Sequence, residues 1–272
     1  MPELPEVQAT VDYLTERIVG HRITGASISW PRTLHGVPTS DFIDIVTGRS
    51  IRQVFRRGKY VCISLSGSPE YFLLVHLRMS GSLDVVSSES AIAIHDRATI
   101  ELSNCKSIRF NDTRKFGRIY IAPSLEEIVG GLGVEPLGPN FTTDYLLLGV
   151  TGRSRTIKPL LLDQTFIAGL GNIYVDESLW KARIHPTTLS HQISKAKISA
   201  LHSAIQETLT EAISFLGTDF GDNVVHGGMY RPRVYGREDE PCPRCNKKIR
   251  RIVVGQRGTH YCPTCQVKQR LA

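Results

Sequence analysis

The spacing of apolar positions changes along the chain, and each spacing predicts a different element. In LPEVQATVDYLTERIVG, Val7, Val11, Leu14 and Ile18 recur at steps of four, three and four. That stripe predicts an amphipathic helix ending at Gly20. From there to about residue 122 the chain runs in short β-rich segments, YVCISLSG, YFLLVHL, ATIELS, SIRF and RIYIA, divided by turn residues. No helical crossover separates them, which predicts an antiparallel sandwich or barrel and not a parallel sheet. GGLGVEPLGPN at 130–140 reads as a linker.

Beyond the linker the period becomes helical. TDYLLLGV and IKPLLLDQTF predict short helices, GLGN a tight turn, and IYVDESLWKARI a further helix. Ile198, Leu201, Ile205, Leu209, Ile213 and Leu216 predict one long helix over 191–216, with Gly217 as its C-cap. Residues 217–234 are glycine-rich and aperiodic, as expected of a mobile loop. The expected organisation is a domain over 1–130, a linker over 131–140, a helical domain over 141–234 and a small module over 235–272. The fold class is α+β.

Composition narrows this picture. A chain of 272 residues with 41% hydrophobic content is long enough for two domains with cores. No apolar run reaches the ~18 residues of a membrane span, and the N-terminus shows no basic-then-apolar leader. A cytoplasmic location is expected. The net charge of +7 and a pI near 9.2 are compatible with a polyanionic partner. The charge is clustered: Arg244, Lys247, Lys248, Arg250, Arg251 and Arg257 share one stretch without acids, and FRRGKY and RSRTIK form two more basic clusters.

The cysteines divide into two classes. Cys62 and Cys105 stand alone in strand-like runs and read as small core residues. Cys242, Cys245, Cys262 and Cys265 follow C-x2-C-x16-C-x2-C, the spacing of a structural tetrahedral Zn2+ site. A disulfide framework is disfavoured without a secretion signal. With all four positions filled by sulfur, the zinc holds structure and does no chemistry. Between the pairs, IRRIVV and THYC predict a β-hairpin joined by GQRG, with Arg257 at its tip. Arg257 is either a solvated turn residue or an arginine that a rigid hairpin delivers to DNA or to an active site.

Two further stretches carry candidate chemistry. In FIAGLGNIYVDESLWKARIHP, Gly169 and Gly171 permit a tight turn, and Asn172 is expected to cap the next helix. Such a helix start can hold a phosphate, with Lys158 as a further contact, although an ordinary helical hairpin has the same pattern. The opening MPELPEV suits a helix start, because proline and acids favour the first turn. It also suits removal of Met1, which would leave Pro2 with a free secondary amine.

Taken together, PELPEV, RRGKY at 56–60, HLRMSGSL at 76–83, DTRKFG at 112–117, EPLGPN, GLGNIYVDESLWKARIHP at 169–186, VYGRE at 234–238 and the four cysteines resemble the bacterial formamidopyrimidine-DNA glycosylases, in order and over the whole length. The resemblance implies an N-terminal β-sandwich with an N-terminal helix, a helix–two-turn–helix region and a zinc finger, with double-stranded DNA in the cleft between. It implies excision of oxidised purines, 8-oxoguanine and formamidopyrimidines, followed by apurinic/apyrimidinic lyase cleavage through β- and δ-elimination.

By motif, Pro2 is the nucleophile, Glu3 the acid/base, Lys59 a proton-transfer residue and Arg257 the δ-elimination and phosphate residue. Glu6 orients the amine or the base. Met79, Arg114 and Phe116 fill the hole left by the extruded base. His76, His95, Arg114, Arg153, Lys158 and Asn172 contact DNA. Residue types suit these roles: an α-amine titrates near ~8 and is more often neutral than lysine, and Met and Phe replace lost stacking. Without the resemblance, Met79 and Phe116 would read as core residues. A monomer suffices for a single-lesion cleft. Two departures stand out: Thr113 in DTRKFG, and the 217–234 loop, where the family caps the flipped purine. The length of that loop argues against the endonuclease VIII group.

Overall fold

The computed structural model describes residues 1–218 and 227–268. They divide into two units, residues 1–131 with 227–228, and residues 132–218 with 229–268.

In the first unit, α1 (Leu4–Ile18) precedes eight strands. These are β1 (Ile23–Ile28), β2 (Ile51–Arg57), β3 (Tyr60–Leu65), β4 (Tyr71–His76), β5 (Gly81–Ser87), β6 (Asp96–Leu102), β7 (Lys106–Asp112) and β8 (Arg118–Ala122). They form two antiparallel four-stranded sheets, ordered β1-β6-β7-β5 and β2-β3-β4-β8. This is the expected sandwich. Its core takes Val7, Val11, Leu14 and Ile18 from α1, Ile63, Leu73 and Val75 from one sheet, and Leu83, Ile100 and Phe110 from the other.

Five elements of this unit escape a reading by period. β1, β2 and β5 carry Thr, Ser, Arg and Asp among their apolar residues, so alternation is blurred. α2 (Thr39–Val46) is only eight residues long and buries just Phe42 and Val46. A short helix α3 (Glu126–Val129) closes the unit. The lone cysteines separate: Cys62 is fully buried in β3, as expected. Cys105 is not a core residue. It is exposed, with φ +59°, in the turn between β6 and β7.

The second unit contains α4 (Thr143–Thr151), α5 (Ile157–Leu161), α6 (Asn172–Lys181), α7 (Lys195–Ser214) and the hairpin β9 (Arg250–Val254) and β10 (Arg257–Tyr261). The stretch expected as a linker belongs to it from Leu132 onward. Gly133 donates its N–H to the Gln164 carbonyl at 2.8 Å, and Val134 bridges Ile167. A Cβ at Gly133 would sit 2.2 Å from the Phe166 carbonyl oxygen. Glycine here serves close approach of two backbones and not flexibility.

The long helix runs over Lys195–Ser214 with Phe215 as its C-cap, so it ends two residues earlier than expected. Leu216 takes the left-handed conformation (φ +58°), and Gly217 bonds back to the Ala212 carbonyl at 2.8 Å. This six-to-one bond, with Leu216 N–H to Ile213, is a Schellman closure. Of the loop expected over 217–234, residues 219–226 lie outside the described residues.

Candidate nucleic-acid surfaces and metal centre

The start of α1 fixes the first cluster. Glu3 is the N-cap of α1, which begins at Leu4 with Pro5 in its first turn. The Glu3 N–H donates to Glu6 Oε2 at 2.8 Å, and the two acids close a capping box. Both carboxylates are buried, at 2% and 5% exposure, while Pro2 is half-buried and Met1 exposed. A buried acid beside the second residue is unusual for a helix start, where acids are normally solvated.

Lys59 belongs to the same unit and is also out of place for its position. β2 and β3 pair Arg57 with Tyr60, so Gly58-Lys59 is a two-residue turn. Gly58 has φ +56°, the glycine-first pattern of a tight hairpin. A lysine at a hairpin tip is ordinarily solvated, yet Lys59 is only 7% exposed. His76, across from Tyr60 in the β3–β4 register, is equally buried. Its pKa is pushed down to about 3, first by burial and then by the charges of Arg78 and Lys59. The Arg78 N–H donates to His76 Nδ1 at 3.1 Å. The ring is therefore neutral, with its proton on Nε2.

Met79 and Phe116 are not core residues. They are 46% and 47% exposed. Each follows a strand and sits in a turn, and the Arg114 guanidinium lies 4.9 Å over the Phe116 ring. Two solvated apolar side chains and an arginine on adjoining turns form a wedge suited to stacking. His95 is half-buried, with Nδ1 3.0 Å from Arg97 Nη2.

In the second unit three expectations change. Asn172 does not cap α6. Gly171 occupies the N-cap, and the Asn172 amide donates instead to the Gly258 carbonyl at 2.9 Å. Lys158 does not offer its ammonium to a phosphate. It is fully buried, bonded to Asp176 Oδ1 at 2.6 Å and to the Gly258 carbonyl at 3.2 Å. Arg257 opens β10 and is exposed beside the two-residue turn Gly255-Gln256, both at positive φ. Arg153 is exposed and lies over the Phe166 ring.

The four cysteine sulfurs lie within 4.8 Å of one another. Cys242–Cys265 and Cys245–Cys262 are 4.0 and 3.4 Å apart, against an edge of about 3.8 Å for a zinc–thiolate tetrahedron. Trp180 Nε1 donates to Cys242 Sγ at 3.4 Å, and the Cys265 N–H to Cys262 Sγ at 3.4 Å, as outer-shell support. The donor set and spacing fit one structural zinc ion.

The apolar period of YVDESLW gives its two acids no role, but the fold does. Asp176 holds Lys158 and accepts the His260 N–H at 2.8 Å. Glu177, fully buried, accepts N–H bonds from Arg233, Val234 and Tyr235 at 2.7–2.9 Å. Burial still pushes its carboxyl up. Two adjacent acids inside an otherwise apolar helix were the available signal.

Family models match in three consecutive blocks. They describe the formamidopyrimidine-DNA glycosylase N-terminal domain (residues 1–119), the H2TH domain of the same enzymes (132–222) and a zinc finger found in FPG and IleRS (239–267). The chain is 42% identical to the formamidopyrimidine-DNA glycosylase of Protochlamydia amoebophila, over 98% of this chain and all of that one. It is 43% identical to that of Pelotomaculum thermopropionicum, over 98% and 99%. Among solved structures, the Lactococcus lactis enzyme bound to N7-benzyl-Fapy-dG DNA aligns with a TM-score of 0.92 at 34% identity, over 98% of this chain and all of that one. A MutM complex with DNA containing carbocyclic 8-oxo-G aligns at 0.91 and 35%, with the same coverage.

Proposed function

The chain belongs to the formamidopyrimidine-DNA glycosylase family, and from that premise we propose that it excises oxidised purines from duplex DNA and then cleaves the strand as a lyase. The observation that carries this reading is the buried Glu3 carboxyl, held by a helix cap next to Pro2.

Once Met1 is removed, the Pro2 amine attacks the sugar C1′ of the damaged nucleotide. The glycosidic bond breaks and the base leaves. Glu3 protonates the opening sugar, and the nitrogen, now bonded to C1′, forms an iminium. A secondary amine makes that iminium permanently cationic, so it draws electrons from C2′. Loss of a C2′ proton expels the 3′ phosphate, with Lys59 in proton transfer. A second elimination expels the 5′ phosphate, with Arg257 assigned to that step. The product is a one-nucleotide gap with phosphates at both ends.

Met79, Phe116 and Arg114 fill the space of the extruded nucleotide, the arginine bonding the orphaned cytosine. The exposure of Met79 and Phe116 supports this, since solvated apolar side chains on a turn have no packing role. Neutral His76, His95 and exposed Arg153 are assigned to the DNA backbone. Zinc takes no step; it holds the finger that carries Arg257.

Borohydride added to the protein and an 8-oxoguanine duplex should trap a covalent adduct. A Pro2→Gly variant should lose it, and intact mass should lack Met1. Tight binding without any adduct would overturn the reading in favour of a DNA-binding protein without catalysis, and a retained Met1 would overturn the nucleophile.

A further inference from the structure

Met79, His95, Arg114 and Phe116 sit on three separate loops of the first unit, and one buried residue touches all three. Asp112 ends β7 and is 1% exposed. Its Oδ1 accepts the Ser80 hydroxyl, next to Met79, and the Arg114 N–H at 3.1 Å. Its Oδ2 accepts the Gly117 N–H, next to Phe116, at 2.7 Å. The Arg114 N–H also reaches Ser80 Oγ at 3.2 Å, which closes a ring of bonds between the two loops. The main chain of Asp112 holds the third loop: its N–H donates to the His95 carbonyl at 2.9 Å, and its carbonyl accepts Arg97 Nε at 2.8 Å. Arg97 in turn meets His95 Nδ1.

The surroundings are closely packed. A Cβ at Gly117 would lie 2.3 Å from the Phe110 ring and 3.1 Å from Asp112 Oδ2. A Cβ at Gly81, paired with Asp112 across the sheet, would lie 2.5 Å from the Leu77 carbonyl oxygen. Both glycines let the loops close onto the carboxylate. On the far side Lys115, at φ +59°, places its ammonium 4.1 Å over the Trp30 ring. A buried carboxylate that accepts N–H and O–H donors from separate segments ties those segments to each other.

We propose that Asp112, with Ser80 as its bridge, is a positioning residue that locks Met79, Arg114 and Phe116 into one wedge and thereby sets which opposing base the enzyme accepts. Asp112 touches no DNA in this account; it acts through Arg114. The proposal rests on the wedge role given above.

The test measures excision of 8-oxoguanine opposite cytosine and opposite adenine, with borohydride trapping on a preformed abasic duplex as the control for Pro2 chemistry. Asp112→Asn offers one acceptor oxygen where two were used. Ser80→Ala, the milder second variant, removes the bridging hydroxyl and leaves the Asp112 carboxylate in place. In both variants the preference for cytosine over adenine should shrink by roughly tenfold, while abasic trapping stays within about twofold of the unchanged protein. A general loss of structure would lower both substrates and the trapping together and leave the preference intact. Variants that select the opposing base as the unchanged chain does overturn the proposal. An unchanged chain that neither excises nor traps overturns the glycosylase reading itself, a distinct outcome.

Discussion

The first unit and the finger of the second differ in what lies at their centres. Behind α1 and between the two sheets sit twenty-three buried apolar residues. The centre of the finger is Val234, Ile249 and the two cysteines Cys242 and Cys262, with Trp180 packed against them. A segment of about thirty residues cannot bury enough apolar surface to hold a hairpin in place. The sandwich is therefore specified by shape, and the finger by a metal and a few polar bonds. Each carries a basic residue at a two-residue hairpin turn, Lys59 within one and Arg257 directly after the other. Lys59 is buried, whereas Arg257 is exposed to solvent.

Metal removal should separate the two regions most. Structural zinc contributes on the order of 10–16 kcal/mol to domains of this kind. Chelation, or Cys242→Ser, should release one zinc ion per chain and abolish DNA binding, while the β-sheet circular dichroism of the first unit persists. Full DNA binding by metal-free protein would refute the role of zinc in presenting the hairpin.

The difference also explains what could be read from sequence. The stripe of α1 and the cysteine spacing were legible because each obeys one local rule, a helical period or a ligand spacing. Lys59 was assigned by resemblance, but its burial was not legible, since turn lysines are read as solvated. The burial of Lys158 is not legible because its partner, Asp176, stands eighteen residues away, and the third member of the contact, Gly258, lies a hundred residues on. Asn172 and Gly171 are both acceptable caps by type; the Gly258 carbonyl decides between them by claiming the asparagine. Gly133 read as flexibility because composition cannot show a backbone approaching at van der Waals distance. Asp112 stayed hidden for the same reason: its partners are strung over three loops. Long-range polar contacts of this sort, unlike periods, leave no mark on neighbouring residues.

A smaller effect tests the polar side of the comparison. Asp176→Ala should leave the Lys158 ammonium buried without its carboxylate, at a cost of about 3–5 kcal/mol. The loss should appear as early exchange of β9 and β10 amides, since Asp176 also holds the His260 N–H. Replacing the pair together, Lys158→Met with Asp176→Leu, should recover much of the loss in denaturant titrations. A double variant as weak as the single one would show that the pair is worth more than the apolar packing that replaces it.

The smallest effect lies in the sandwich and concerns proton uptake. The folded pKa of His76 is held at about 3, below the value near 6.5 of the unfolded chain. Between these values the unfolded chain binds a proton that the folded chain refuses. The contribution is whole above pH ~6.5 and declines as pH falls through that window, by on the order of 1–2 kcal/mol between pH 7 and pH 5. His76→Gln should flatten that part of the profile. The finger also weakens in acid, because thiolates must stay deprotonated to hold zinc. Bound metal followed in the same titration tells the two apart: the His76 slope begins while zinc is still retained. If the slope survives in His76→Gln with zinc bound, the imidazole protonates inside the fold, and the burial beside Lys59 and Arg78 is not what keeps it neutral.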